Sequence, residues 1–178
     1  AVSSYIVSLW APALLQNSFG RYAVQLLPWY LAVVPLTMLL LRANTFGRPP
    51  ARKLGAARYL SFFPMSYALL FAGSMLGNLV TSVIGVLTGH SVQNATAQLI
   101  SGTDPLATIL FVVLLAPLIE ELLFRKFLID ALYPYGEAPA IFISALVFGL
   151  FHGNFFQFFY AAAIGGLFGY LYCKTGRI

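Results

Sequence analysis

The chain has 178 residues, of which 60% are hydrophobic, 16% aromatic and only 8% charged, and its mean hydropathy is +0.86. A soluble domain carries about 25% charged residues, so this composition excludes an ordinary water-solvated protein and points to a single polytopic membrane domain. The net charge of +5 comes with no nucleic-acid reading motif, which excludes nucleic acid as a partner, and the single cysteine, Cys173, excludes an intrachain disulfide or a CxxC metal knot.

Residues 1–17 (AVSSYIVSLWAPALLQN) are apolar but slightly short for a span, which needs about 20 residues, and read as the remainder of a first transmembrane helix. The chain begins at Ala1 rather than Met and stops at Ile178 after Thr175-Gly176-Arg177, which reads as a turn into another element; both ends are taken as incomplete. A clear span is predicted over Tyr22 to Leu41, with Pro28 and Pro35 tolerated because bundle neighbours can satisfy the freed carbonyls. Residues 42–58 form a Pro- and Gly-punctuated loop with Arg42, Arg48, Arg52, Lys53 and Arg58 and no acid, cytoplasmic by the positive-inside rule. Membrane lipids are the expected surroundings, and a polybasic contact to lipid or substrate is an alternative use of that loop.

Tyr59 to Leu87 is a long apolar stretch with Gly73, Ser74, Gly77 and Gly85, predicted to be tilted, kinked, or interrupted near Gly77 and Asn78. Thr88 to Asp104 is polar and faces outward, carrying an accidental-looking sequon at Asn94 and a solvated His90. A helix then starts near Pro105 with Asp104 as N-cap. Residues 1–104 thus group as N-terminal transmembrane helices and 105–178 as a second, site-bearing set. Tyr133 to Pro139 reads as a turn, Ala140 to Phe151 as apolar helix, and Phe155 to Tyr172 as a further span with Gly165 and Gly169 suited to close helix contact.

Charge is concentrated in one place. Ala116 to Asp130 (APLIEELLFRKFLID) continues the apolar run from Ile109 to Ile119, yet holds Glu120, Glu121, Arg125, Lys126 and Asp130. Ionisable groups at hydrocarbon depth cost roughly 2.5–3.5 kcal/mol each even on the lower insertion scales, so the cluster marks a functional site. At 1.5 Å per residue the glutamates lie roughly 23 Å from Pro105, in the cytoplasmic half of a core of about 30 Å. Glu121 and Arg125 stand four apart in the order that favours an ion pair, while Glu120 is rotated about 100° away and is the acid left for proton transfer. A buried network that merely locks two helices is the alternative. His152 follows a twelve-residue apolar segment, with Asn154 and Gln157 as amides that can bind a carbonyl oxygen or orient a side chain. If its helix began at Ala138, His152 would sit about 21 Å in, deeper than the glutamates; a tilt or a break at Gly149 would bring them level.

Glu120-Glu121-Leu122-Leu123-Phe124-Arg125 forms an EExxxR motif and Phe148-Gly149-Leu150-Phe151-His152 an FxxxH motif. In order and approximate separation they resemble the CPBP family, the CAAX-processing and bacteriocin-processing (Abi-type) intramembrane proteases, over roughly residues 105–178. The resemblance implies an all-α, multi-pass transmembrane helical bundle in a bacterial cell membrane. It implies that Glu120 is the base that activates water, that His152 holds the water or stabilises the oxyanion, and that Glu121, Arg125 and Phe148 support them; Asn154 joins as a supporting amide. A further family motif, a histidine followed four residues later by asparagine, is not carried before Ile178 and is expected beyond it.

The function so implied is an intramembrane endopeptidase acting on a peptide or lipidated-peptide substrate, with bacteriocin processing or self-immunity as family roles. No firmly bound metal is expected; zinc is the alternative, since a catalytic zinc normally takes three protein ligands and only Glu120, Glu121 and His152 are candidates. Two other classes stand beside the enzyme: a non-catalytic membrane immunity or scaffold protein using the same fold, and a transporter with an acidic relay.

Overall fold

The computed structural model describes residues 12–42, 47 and 49–177, and all regular structure among them is helical. The greater part of the expected first span, residues 1–11, lies outside the described residues, as do Arg48 and the side chain of Arg42. After a 3-10 turn at Pro12–Leu15 come α1 (Ser18–Arg42), α2 (Ala56–Thr88), the short α3 (Ala95–Ile100), α4 (Pro105–Tyr135), α5 (Glu137–Phe151) and α6 (Phe155–Thr175). Among the described residues α2, α4 and α6 are long and apolar enough to cross a membrane, and α5 is a shorter apolar helix.

The chain divides into two compact units, residues 1–43 with 95–123, and residues 44–94 with 124–178. The first is organised by Tyr22, which is fully buried. Its hydroxyl lies 3.1 Å from Thr103 Oγ1 and 3.0 Å from Thr108 Oγ1, and its ring stacks on Phe111 at 5.8 Å. Asp104 caps α4 as its sequence position predicts: Oδ1 accepts from the Leu106 and Ala107 backbone N–H groups, while its own N–H donates to Ser18 Oγ at 2.8 Å. The polar stretch before it is not all loop, because Ala95–Ile100 supplies good helix formers and closes into α3.

The second unit is built on α2 and α6. Small residues carry their contact: a Cβ on Gly73 would collide with the Tyr160 backbone, and one on Gly77 with the Phe155 and Phe156 carbonyl oxygens. Without a water-driven force between helices in lipid, close backbone approach is what holds such a pair. These glycines therefore do not interrupt α2, which runs unbroken for 33 residues. The lipid-side character of the helix is plain from Leu60, Phe63 and Val86, which are 72%, 80% and 83% exposed. The same device recurs between α5 and α6, where Gly165 faces Ala145 and Phe148. Ile129, Ala140, Tyr172 and Cys173 form a buried cluster at the other end.

α4 departs from a uniform α-helix. Ile109–Leu115 and Leu122–Ile129 adopt the wider π form, on either side of an α segment, Ala116–Glu121. Such π segments are rare and concentrate at functional sites. The step of about 100° that separates Glu120 from Glu121 holds within the α segment but not through Leu122–Ile129, where Arg125 lies.

Candidate active site

Glu120 and Glu121 end the α segment of α4 and are both half-buried, within the first unit. Arg125, Phe148, His152 and Asn154 belong to the second unit, and there they are gathered together. Arg125 is 1% exposed, its guanidinium carbon 4.6 Å from the centroid of Phe148 and 5.9 Å from that of Phe168. A planar, weakly hydrated guanidinium tolerates such desolvation over aromatic faces better than an ammonium does. Phe124, beside it in sequence, meets Phe148 and Phe151 edge-on at 5.0 and 5.4 Å. The buried Ser144 hydroxyl donates to the Phe124 carbonyl at 2.8 Å, tying α5 to the π segment.

His152 stands where α5 ends. The α-helix runs through Gly149 to Phe151, so no break occurs at that glycine. At the end the pattern tightens: the His152 backbone N–H turns to Gly149 and Leu150, which withdraws the usual donor from the Phe148 carbonyl. The His152 ring takes that donor's place, with Nδ1 2.9 Å from Phe148 O. A carbonyl only accepts, so Nδ1 carries the proton, and in the neutral ring Nε2 is left as the acceptor. The four-residue spacing of FxxxH thus has a local physical reason. The ring also meets Phe148 at 5.0 Å and Tyr160 at 6.4 Å.

Gly153 then takes a φ of +65°, which a side chain would strain, and lets the chain turn directly into α6. Asn154 caps α6: Oδ1 accepts from the Gln157 N–H at 3.0 Å, and Nδ2 donates to the His152 carbonyl at 2.9 Å and to Gln157 Oε1 at 2.7 Å. Gln157 Nε2 donates onward to the Tyr160 hydroxyl at 2.8 Å. The two amides singled out in sequence therefore orient the turn that carries His152. Tyr160, Phe168 and Ser144 were not expected at the site. Only Tyr160, three residues after Gln157 on one helix, had a sequence signal.

Lys126 Nζ and Asp130 Oδ2 form an i, i+4 ion pair at 2.9 Å, and the buried Asp130 also accepts from the Tyr172 hydroxyl. His90 is exposed, as expected, with Nδ1 2.7 Å from the Thr88 carbonyl. Among the described residues no three or more His, Cys, Asp or Glu side chains are grouped as metal ligands.

Residues 102–178 match the model of the Rce1-like family, described as type II CAAX prenyl endopeptidase, and this part of the chain is similar to that family. All the motif residues from Glu120 to His152 fall within the matched region. A curated relative, "Putative membrane peptidase YdiL" of Bacillus subtilis (strain 168), is 31% identical over 117 residues, 63% of this chain and 46% of the relative. The chain thus spans about half the length of the curated relative it matches. No solved structure matches it.

Proposed function

We propose that this chain is the site-bearing part of an intramembrane endopeptidase that hydrolyses a peptide bond with glutamate-activated water. Glu120 is the general base, taking a proton from water as it attacks the scissile carbonyl and returning it to the leaving amine. His152 holds that water or the oxyanion. By the family resemblance Glu121 and Arg125 are supporting residues, and Phe148 fixes the histidine. No resident metal is assigned a step.

The observation that carries this reading is the Phe148 carbonyl at 2.9 Å from His152 Nδ1, inside the region that matches a peptidase family. That bond selects the tautomer with an accepting Nε2, the form able to order a water, and the Phe148 ring that His152 meets edge-on is shared with Arg125 of the EExxxR motif. A lipidated peptide is the proposed substrate class, because residues 102–178 match a family described as CAAX prenyl endopeptidases. Bacteriocin or leader-peptide processing is the finer alternative within the same chemistry.

The test is cleavage of a membrane-anchored, prenylated reporter peptide by the reconstituted protein and its Glu120→Gln variant. Loss of roughly 10²-fold or more in rate with normal membrane insertion supports the base. An unchanged rate overturns it and favours a non-catalytic immunity or scaffold role. Stoichiometric zinc required for cleavage would overturn the metal-free assignment.

A further inference from the structure

The basic loop of the second unit has a role that catalysis does not use. Residues 49–54 run back against the end of α6: the Arg52 N–H donates to the Thr175 carbonyl at 3.0 Å, and Gly176, at a φ of +63°, packs against Pro49 and Ala51 so closely that a Cβ there would collide. This docking forms a cleft of about 430 Å³ lined by Arg52, Lys53, Leu54, Arg58, Tyr170 and Lys174. Four of the six lining residues are cations. One carboxylate lies alongside, Glu137, whose Oε1 is 2.7 Å and Oε2 3.0 Å from Lys174 Nζ. That ammonium is also held 5.3 Å from the Tyr170 ring, and Tyr170 in turn meets Phe62 of α2 at 6.4 Å.

We infer that this cleft binds the phosphodiester headgroup of an anionic phospholipid. Depth is the first argument. At 33 residues α2 is about 50 Å long, more than a core of about 30 Å requires, so its basic N-terminal end reaches the headgroups. Tyrosine near a span end belongs at the same level. Charge is the second. α2 opens with no acidic residue in its first turn and no side-chain cap, so the positive end of its helix dipole adds to the field of Arg52, Lys53 and Arg58.

The third argument separates a lipid from a free phosphate. Directly beyond the cations, α2 exposes Tyr59, Leu60 and Phe63 at 42%, 72% and 80%. An anionic head with an acyl chain satisfies both regions at once, whereas inorganic phosphate satisfies only the first. Basic clusters immediately beside a transmembrane helix bind acidic lipids for this reason.

Native mass spectrometry in detergent, with phosphatidylglycerol or phosphatidylcholine added, tests the site on the full chain. A retained phosphatidylglycerol adduct is expected, with affinity falling roughly 30-fold in the Arg52→Gln/Arg58→Gln double variant. The Arg52→Lys/Arg58→Lys variant keeps the charge and most of the binding, which separates lost charge from a damaged fold. Equal retention of phosphatidylcholine, or an equal loss on Arg21→Gln in the other unit, would overturn the proposal. So would displacement of the lipid by millimolar inorganic phosphate or by an acidic peptide, which would reassign the cleft to those ligands.

Discussion

Tyr172 donates its hydroxyl proton to Oδ1 of Asp130 across 2.7 Å, in a buried position that joins residues 42 apart in the chain. Asp130 is 4% exposed and its other oxygen is taken by Lys126, so the carboxylate is shared between a local cation and a distant phenol. Tyr172→Phe removes one donor from a buried charge and is expected to lower stability by about 1–3 kcal/mol in detergent. Thermal unfolding measures this. Because the two residues share one interaction, Tyr172→Phe combined with Asp130→Asn should cost less than the sum of the single changes.

Gly77 is a point of close approach between α2 and α6, where a side chain would strike the Phe155 and Phe156 carbonyl oxygens. Gly77→Leu forces backbones rather than flexible side chains apart. A loss of about 1–3 kcal/mol is expected, read as a lower unfolding temperature in lipid nanodiscs. The same change at Gly55, where a Cβ would meet no atom within 4 Å, loses only the N-cap preference of glycine and should lower that temperature less.

Asn154 separates helix capping from histidine positioning. Asn154→Ala removes both, and loss of the cap alone costs about 0.5–2 kcal/mol. Asn154→Asp keeps an acceptor for the Gln157 N–H but removes the Nδ2 donor to the His152 carbonyl. The aspartate variant should therefore regain the unfolding temperature while its peptide-cleavage rate stays below that of the wild type. Full recovery of both would show that the bond to His152 has no bearing on cleavage.

Arg125 lies over two aromatic rings while almost wholly buried. Arg125→Lys preserves charge but replaces a planar, weakly hydrated group by a compact, strongly hydrated one. Stability should fall by about 0.5–2 kcal/mol, the range of cation–π contacts from exposed to desolvated. Thermal unfolding with matched detergent checks it, and a variant as stable as the wild type would remove the aromatic stack as the reason for arginine.

Much of the helical frame was legible from local pattern. The Asp104 cap, a helix over 22–41 and the spans near 59–87 and 155–172 follow from hydropathy and capping chemistry, which depend on neighbours in sequence. The turn expected from Tyr133 to Pro139 narrows to Tyr133–Gly136, because α5 already starts at Glu137. The glycines of α2 were the instructive difference: taken alone they weaken a helix, but packed against Tyr160 and Phe155 they are contact points, and the helix continues through them. The docking of the basic loop on Thr175 was not legible in the sequence, since Arg52 and its partner Thr175 lie 123 residues apart in the chain.

The candidate site divides in the same way. Residue type and spacing pointed to Glu120, Glu121, Arg125 and His152 as candidates, because charge in hydrocarbon is costly, and the family resemblance added Phe148. Only the tertiary structure decided that Arg125 is sheathed by Phe148 and Phe168, that Ser144 bonds the Phe124 carbonyl and that Tyr172 completes Asp130. Those partners lie 20 or more residues away, and the π segment alters the direction of each side chain it carries. No local rule reaches that far, since the angle at which two helices cross is set by the small residues between them.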